Sequence, residues 1–176
     1  MSISFKTFLK HTAKDFHNQS VNPPIVRAST IIFKSMNDIR KTQAKYKKDP
    51  RGGYFDYGRQ GTSTTHILQK ILSKLEESYY TFLTPTGFGS VFLAIFSVVR
   101  PGDEILIADP VYNPTRMLTQ DYLTEFGIKT IFYNPHDLNS LKKNITKKTK
   151  LIFVENPGSN TFEFHDLSKV IQIAKK

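Results

Sequence analysis

The spacing of apolar and polar positions changes near residue 61. Beyond it, "TTHILQKILSKLE" places apolar residues at 67, 68, 71, 72 and 75, the stripe of an amphipathic helix. "YYTFLT" (79–84) reads as a buried strand, and "GFGSVFLAIFSVV" (87–99), apolar on nearly every face, as a buried helix. A turn at "RPGD" leads to a strand at "EILIAD" (104–109). "NPTRMLTQDYLTEF" (113–126) is a helix with Pro114 in its first turn and Gly127 just past its end. A strand "KTIFY" (129–133), a short helix from Asp137, a strand "KLIFVE" (150–155) and a helix capped by Asp166 complete the series. Strands alternating with helices predict an α/β fold with a mostly parallel sheet, whose ligand edge lies at the strand C-termini.

The first sixty residues have a different pattern. The first twenty are polar and expected to be loosely held. "VNPPIVRASTIIF" (21–33) should run extended, and "SMNDIRKTQAKYKK" (35–48) should form an exposed helix capped by Ser35. "DPRGGYFDYGRQG" (49–61) is a loop by its Pro and Gly content. We therefore divide the chain into an arm with a helix and a reaching loop (1–60) and a partial α/β domain (61–176).

Composition narrows the chemistry. No Cys is present, which removes disulfides, zinc-thiolate sites and a cysteine nucleophile and suits a cytoplasmic setting. The five His show neither metal-ligand spacing nor a place in a Ser-His-Asp order. The longest apolar run falls far short of a membrane span. A formal charge of +10 is compatible with anionic small molecules. The dense stretch "KKNITKKTK" (142–150) lacks interleaved aromatics and reads as a solvated helix end, so no nucleic-acid partner is expected.

Four loops carry candidate chemistry. "LTPTGFGS" leads into a helix with Gly87 and Gly89 in its first turn, where free N–H groups and the helix dipole favour a phosphate and Thr86 or Ser90 adds a hydroxyl. The alternative is a tight turn into a core helix. Tyr112, in the stiff loop "ADPVYNPT", either stacks on a planar cofactor or covers the sheet edge. In "FVENPGSNT", Asn156 offers a polar group to a ligand and Glu155 can hold loop backbone, unless the turn is purely structural. Tyr57 and Arg59 sit on a glycine-flanked loop, where the planar guanidinium suits a phosphate and a surface salt bridge is the competing reading.

Taken in order, "VNPPIVRASTIIF", "YGRQGTSTTHILQKILSKLE", "TPTGFGSV", "PGDEILIADPVYNPT" and "KLIFVENPGSNTFEFHDL" resemble the Cys/Met-metabolism (trans-sulfuration) enzymes that use pyridoxal 5′-phosphate (PLP), with cystathionine β-lyases the most similar members. The resemblance implies an incomplete N-terminal part of the large PLP-binding domain of fold-type I, the aspartate aminotransferase-like fold. It places Tyr57 and Arg59 at the PLP phosphate of a neighbouring subunit, in a homo-oligomer with shared active sites. It makes Gly87 and Phe88 backbone donors to the same phosphate, although the family often has Met or Ala at Phe88. It gives Tyr112 the role of ring stacking and acid–base assistance, and it puts Glu155 and Asn156 in a conserved-type turn. The family reaction is β-elimination to homocysteine, pyruvate and ammonia, in methionine biosynthesis. The family's pyridinium Asp, Schiff-base Lys and C-terminal domain have no counterpart in these 176 residues. The expectation is a truncated lyase, inactive alone, with an apolar edge that favours assembly. Alternatives are half of a split PLP enzyme, such as a γ-lyase or γ-synthase completed by a second polypeptide, or a non-catalytic phosphate- or PLP-binding module. "TKKTK" (146–150) offers no substitute lysine, because it precedes a strand, opposite the ligand edge.

Overall fold

The computed structural model describes residues 22–175, so the reading of the first twenty residues as loosely held lies outside the described residues. The chain forms two compact units, divided between Leu83 and Thr84.

In the first unit, helix α1 (Met36–Lys48) starts where Ser35 Oγ accepts from Asp38 N–H, and it buries none of its residues. The predicted cap is therefore present, and so is the exposed character of the helix. Two short 3-10 turns follow, Pro50–Gly52 and Gly58–Gln60. Helix α2 (Ser63–Leu75) begins at Thr62, whose N–H donates to Thr65 Oγ1 (3.0 Å). The segment before α1 forms no helix and no strand beyond a single bridge. It is tied down at intervals: Val26 N–H donates to Thr64 Oγ1 (2.8 Å), and Thr30 forms an antiparallel bridge with Tyr57.

Residues 79–84 do not form the predicted strand. Tyr79 and Phe82 are 75% and 74% exposed. The backbone here is held by side chains of α2, with Gln69 Nε2 donating to Thr81 O (3.0 Å) and Ser73 Oγ bonded to Thr81 Oγ1 (2.9 Å). A strand needs a hydrogen-bonded neighbour, and the apolar run alone does not supply one.

The second unit contains α3 (Gly87–Val98), β1 (Glu104–Ala108), α4 (Asn113–Met117), α5 (Leu123–Glu125), β2 (Lys129–Tyr133), α6 (Leu138–Asn144), β3 (Thr149–Phe153) and α7 (Leu167–Ala174). A π-helical stretch, Leu118–Tyr122, joins α4 to α5. It widens the helix locally, and threonine hydroxyls satisfy the nearby carbonyls: Thr119 Oγ1 donates to Thr115 O and Thr130 Oγ1 to Thr119 O. The three strands are parallel in the order β2-β1-β3, as the alternating pattern predicts.

All five residues of β1 are buried, and its side chains alternate between two cores. Ile105 and Ile107 pack with Ile95, Val99, Leu118 and Leu123 on one face. Leu106 and Ala108 pack with Tyr133, Leu141 and Val170 on the other. Helices thus cover both faces of the sheet. Helix α3 forms where predicted but is not buried all round. Only Ile95 is fully enclosed, while Phe88, Phe92, Leu93 and Val98 are exposed. The sheet can cover one face of a helix, and no further layer covers the rest among the described residues.

Tyr133 ends β2 with its ring in the core and its hydroxyl buried without a hydrogen-bond partner. Burial pushes its pKa from the ordinary 10 up to about 12. The unfolded chain therefore loses this proton first. The stability tied to the group is complete below pH 10 and is lost as pH rises through about 12. Tyr133→Phe removes an unsatisfied hydroxyl at constant shape. It is expected to leave stability at pH 7 unchanged or raised by about 1 kcal/mol, and to flatten the alkaline decline, read by urea unfolding at pH 7 and 11. A loss of more than about 1 kcal/mol at pH 7 would mean that the hydroxyl has a partner.

Candidate functional site

The β1 and β3 C-termini open into two loops that meet. Tyr112 N–H donates to Glu155 Oε2 (2.9 Å), and Ser159 N–H donates to Pro110 O (2.8 Å). Glu155 therefore holds backbone of the 109–113 loop rather than of its own loop, the role its sequence position suggested. Gly158 suits the place where the loops touch, since a Cβ there would lie 3.1 Å from the Pro110 ring, a tight contact. Asn156 Oδ1 accepts from His165 N–H (3.0 Å), so its carbonyl is engaged in the turn and its amide nitrogen is what it can offer a ligand.

Tyr112 stands at the start of α4 with 48% of its surface exposed. Its backbone N–H is held by Glu155 while about half of the residue stays exposed. Arg116, which sequence reasoning did not single out, fixes the other side of this loop. Its Nη2 donates to Asp109 O (2.7 Å) and pairs with Asp109 Oδ1 (2.5 Å), and its guanidinium lies 3.9 Å over the Phe132 ring.

At the start of α3, Thr86 Oγ1 accepts from Gly89 N–H (2.9 Å), which is an N-cap. Gly87 and Phe88 precede the first intrahelical donor, and their N–H groups make no hydrogen bond among the described residues. A Cβ at Gly87 would meet nothing within 4 Å. Two backbone donors at the positive end of a twelve-residue helix are thus without a hydrogen-bond partner among the described residues, an arrangement that favours anions. Ser90 Oγ is bonded to Thr84 Oγ1 (2.6 Å), so a hydroxyl pair flanks the same turn.

Tyr57 and Arg59 lie in the first unit. Gly58 N–H donates to Ser29 O (2.7 Å), and a Cβ at Gly58 would come within 1.9 Å of Ala28 O, so only glycine lets the two segments approach. Ser29 Oγ donates to Tyr57 Oη (3.0 Å). The Arg59 guanidinium lies 4.9 Å over the Tyr57 ring, is exposed, and makes no ion pair among the described residues.

A polar cluster in the 155–165 segment also escaped sequence reasoning. Glu163 accepts from Thr161 Oγ1 (2.8 Å) and pairs with His136 Nε2. The Thr161 hydroxyl first, then His136, holds the Glu163 carboxyl below the usual range. His165 is buried, and desolvation lowers its pKa. No group of three or more metal-ligating side chains forms among the described residues.

Residues 6–176 match the family described as Cys/Met metabolism PLP-dependent enzyme. The chain belongs to this family. A Haemophilus influenzae protein named cystathionine β-lyase is 32% identical over 163 residues, 93% of this chain and 40% of its own length. A Wolbachia pipientis protein named L-alanine/L-glutamate racemase is 31% identical over 163 residues, 89% of this chain and 40% of its own length. A Campylobacter jejuni crystal structure, provisionally named an O-acetylhomoserine (thiol)-lyase and holding N′-pyridoxyl-lysine-5′-monophosphate, superposes with a TM-score of 0.81 at 27% identity, covering 99% of this chain and 42% of its own. The chain spans 38–43% of the length of the curated relatives it matches. The α/β fold with a parallel sheet is that of this PLP-dependent family. No helix among the described residues is long and apolar enough to cross a membrane.

Proposed function

We propose that these residues form the phosphate-holding and ring-stacking part of a PLP site in a carbon–sulfur lyase of sulfur amino acid metabolism, of the cystathionine β-lyase kind. The observation that supports this most is the N-terminus of α3, where the Gly87 and Phe88 N–H groups make no hydrogen bond among the described residues and a Cβ at Gly87 would meet nothing within 4 Å. These N–H groups bind the phosphate. Tyr112 lies against the cofactor ring, held by Glu155, and its hydroxyl is placed to hold or move a proton. When bound, PLP supplies an electron sink for a carbanion at the substrate α-carbon. In this reading Tyr57 and Arg59 serve the phosphate of a neighbouring copy in a homo-oligomer with shared sites. The guanidinium is free of acidic partners among the described residues and is pre-oriented by the Tyr57 ring. The protein is proposed to work in the cytoplasm.

The same reading assigns the cofactor-anchoring lysine and the acid that faces the ring nitrogen to family positions without a match here. The 176 residues by themselves are therefore proposed to bind PLP without turning substrate over. Adding PLP, reducing with borohydride and mapping pyridoxyl-lysine by mass spectrometry tests this, with a denatured control. Scattered labelling, equal in folded and denatured chain, is expected. One stoichiometric adduct that requires the fold would identify a substitute lysine and overturn the proposed inactivity.

A further inference from the structure

The segment that follows β3, at the ligand edge of the sheet, is tied at three places. Tyr112 N–H and Ser159 N–H, donating to Glu155 Oε2 and Pro110 O, join it to the loop after β1. Glu163 pairs with His136 Nε2 and so joins it to the loop after β2. At its end His165 N–H donates to Asn156 Oδ1, and the His165 ring is buried. On the reading of these loops as the ring side of a PLP site, we infer that Glu163 and His165 are positioning residues: they hold Asn156 and the Tyr112 loop in place, and protonation of the His165 ring lets the segment go.

Backbone preference does not hold this shape. Asn160 and Phe162 sit at φ of +61° and +53°, a left-handed conformation that is uncommon for asparagine and strained for phenylalanine. Phe162 is 73% exposed, so burial of its ring does not offset the strain. Glu163 supplies the hold instead. Its Oε1 accepts from Thr161 Oγ1 (2.8 Å), its Oε2 pairs with His136, and its carbonyl accepts from Gly158 N–H (2.8 Å). One residue thus ties the strained turn both to itself and to the neighbouring loop. His165 supplies the response to acid. It is 6% exposed, and neither Nδ1 nor Nε2 has a hydrogen-bond partner among the described residues. An unpartnered ring is far costlier to bury charged than neutral. The charged groups acting on it are Glu163 and His136, while Asp166, next in the chain, is paired with Lys169. Burial first lowers the His165 pKa, Glu163 opposes this, and His136 adds to it. The neutral ring is therefore the folded form. Its contribution is complete above the ordinary histidine pKa of 6.5 and is lost as pH falls below it. Glu163, held below the usual carboxylate range by Thr161 and His136, keeps its charge through that window, so release in mild acid belongs to His165.

The test uses the whole 176-residue chain without PLP. Hydrogen exchange of the Tyr112, Ser159 and His165 amides, followed by NMR and corrected for the intrinsic rate, reads the ties directly, with the amides of β1 as internal reference. Between about pH 7.5 and about pH 5, protection of the loop amides is expected to fall by about tenfold while β1 holds, because release takes up a proton. His165→Phe, similar in shape and unable to titrate, should keep its protection at the lower pH. If that variant does not fold, His165→Asn takes its place with the same expectation. Glu163→Ala should lose about tenfold at the higher pH already, and Glu163→Gln, which retains an acceptor for Thr161, should recover part of the loss. PLP affinity, measured by equilibrium dialysis at the same two pH values, should weaken more in the parent chain than in His165→Phe, which separates the loop from the titration of PLP itself. A chain that binds no PLP at either pH would remove the PLP reading and leave the exchange result to decide this one. Loop protection that is the same at both pH values, falls equally in His165→Phe or falls together with β1 would overturn the proposal, as would a PLP affinity with the same pH course in both chains.

Discussion

Leu106→Ala is expected to destabilise the unit formed by residues 84–175 by about 2–5 kcal/mol. Leu106 is fully buried in the central strand, with β2 on one side and β3 on the other. Its side chain packs with Tyr133, Leu141 and Val170, between sheet and helices. Its neighbours on the same face of β1 are Ala108, too small to fill the space that Leu106 leaves, and Glu104, whose carboxylate is held by Thr146 Oγ1 (2.6 Å). A domain holds only about 5–15 kcal/mol in total, so the loss is a large share of what keeps this unit folded. The comparison is Leu68→Ala in α2, where the side chain is exposed and the change should stay within about 0.5 kcal/mol. Urea unfolding followed by circular dichroism reads both. A Leu106→Ala cost below about 1 kcal/mol would mean that this face of the sheet is not packed as described.

The features legible in the sequence were those set by local chemistry. Ser35, Asp137 and Asp166 cap helices as read, because a short acceptor side chain before an apolar periodic run needs nothing beyond the next three N–H groups. The three parallel strands were readable because they are short apolar runs bounded by turns and separated by helical patterns. Residues 79–84 failed because their composition says nothing about a hydrogen-bonding neighbour. The burial of α3 failed because it depends on what lies over the helix, and Phe92 and Leu93 face outward. The site divides in the same way. The donor-rich turn at Gly87 was visible because a helix start is local. The Glu155 contact with Tyr112 spans 43 residues, and the sequence suggested only a hold on the backbone of Glu155's own loop. The Ser29 tie to Tyr57 and the pairing of Glu163 with His136 join segments that only the fold brings together.

Gly87→Asp is expected to keep the fold and lose the phosphate. The new Cβ enters open space, and Gly87 is not among the glycines with left-handed backbone, so the substitution carries no strain. A carboxylate in the first turn of α3 even favours the helix, by about 0.3–1 kcal/mol, so the melting temperature should hold or rise. The same carboxylate sits beside the Gly87 and Phe88 N–H groups and presents a negative charge to the PLP phosphate. Two unit charges 4 Å apart near a protein surface repel by about 4 kcal/mol, so a loss of PLP affinity of tenfold or more is a conservative expectation. Gly87→Asn has nearly the same shape without the charge and should retain most of the binding. Pyridoxal, which lacks the phosphate, should bind both variants and the parent chain alike. Equilibrium dialysis with the two ligands, alongside melting curves, separates the effects. If folded Gly87→Asp held PLP as tightly as the parent chain, the start of α3 would not be where the phosphate sits, and the placement of Tyr112 over the ring would have to be withdrawn with it.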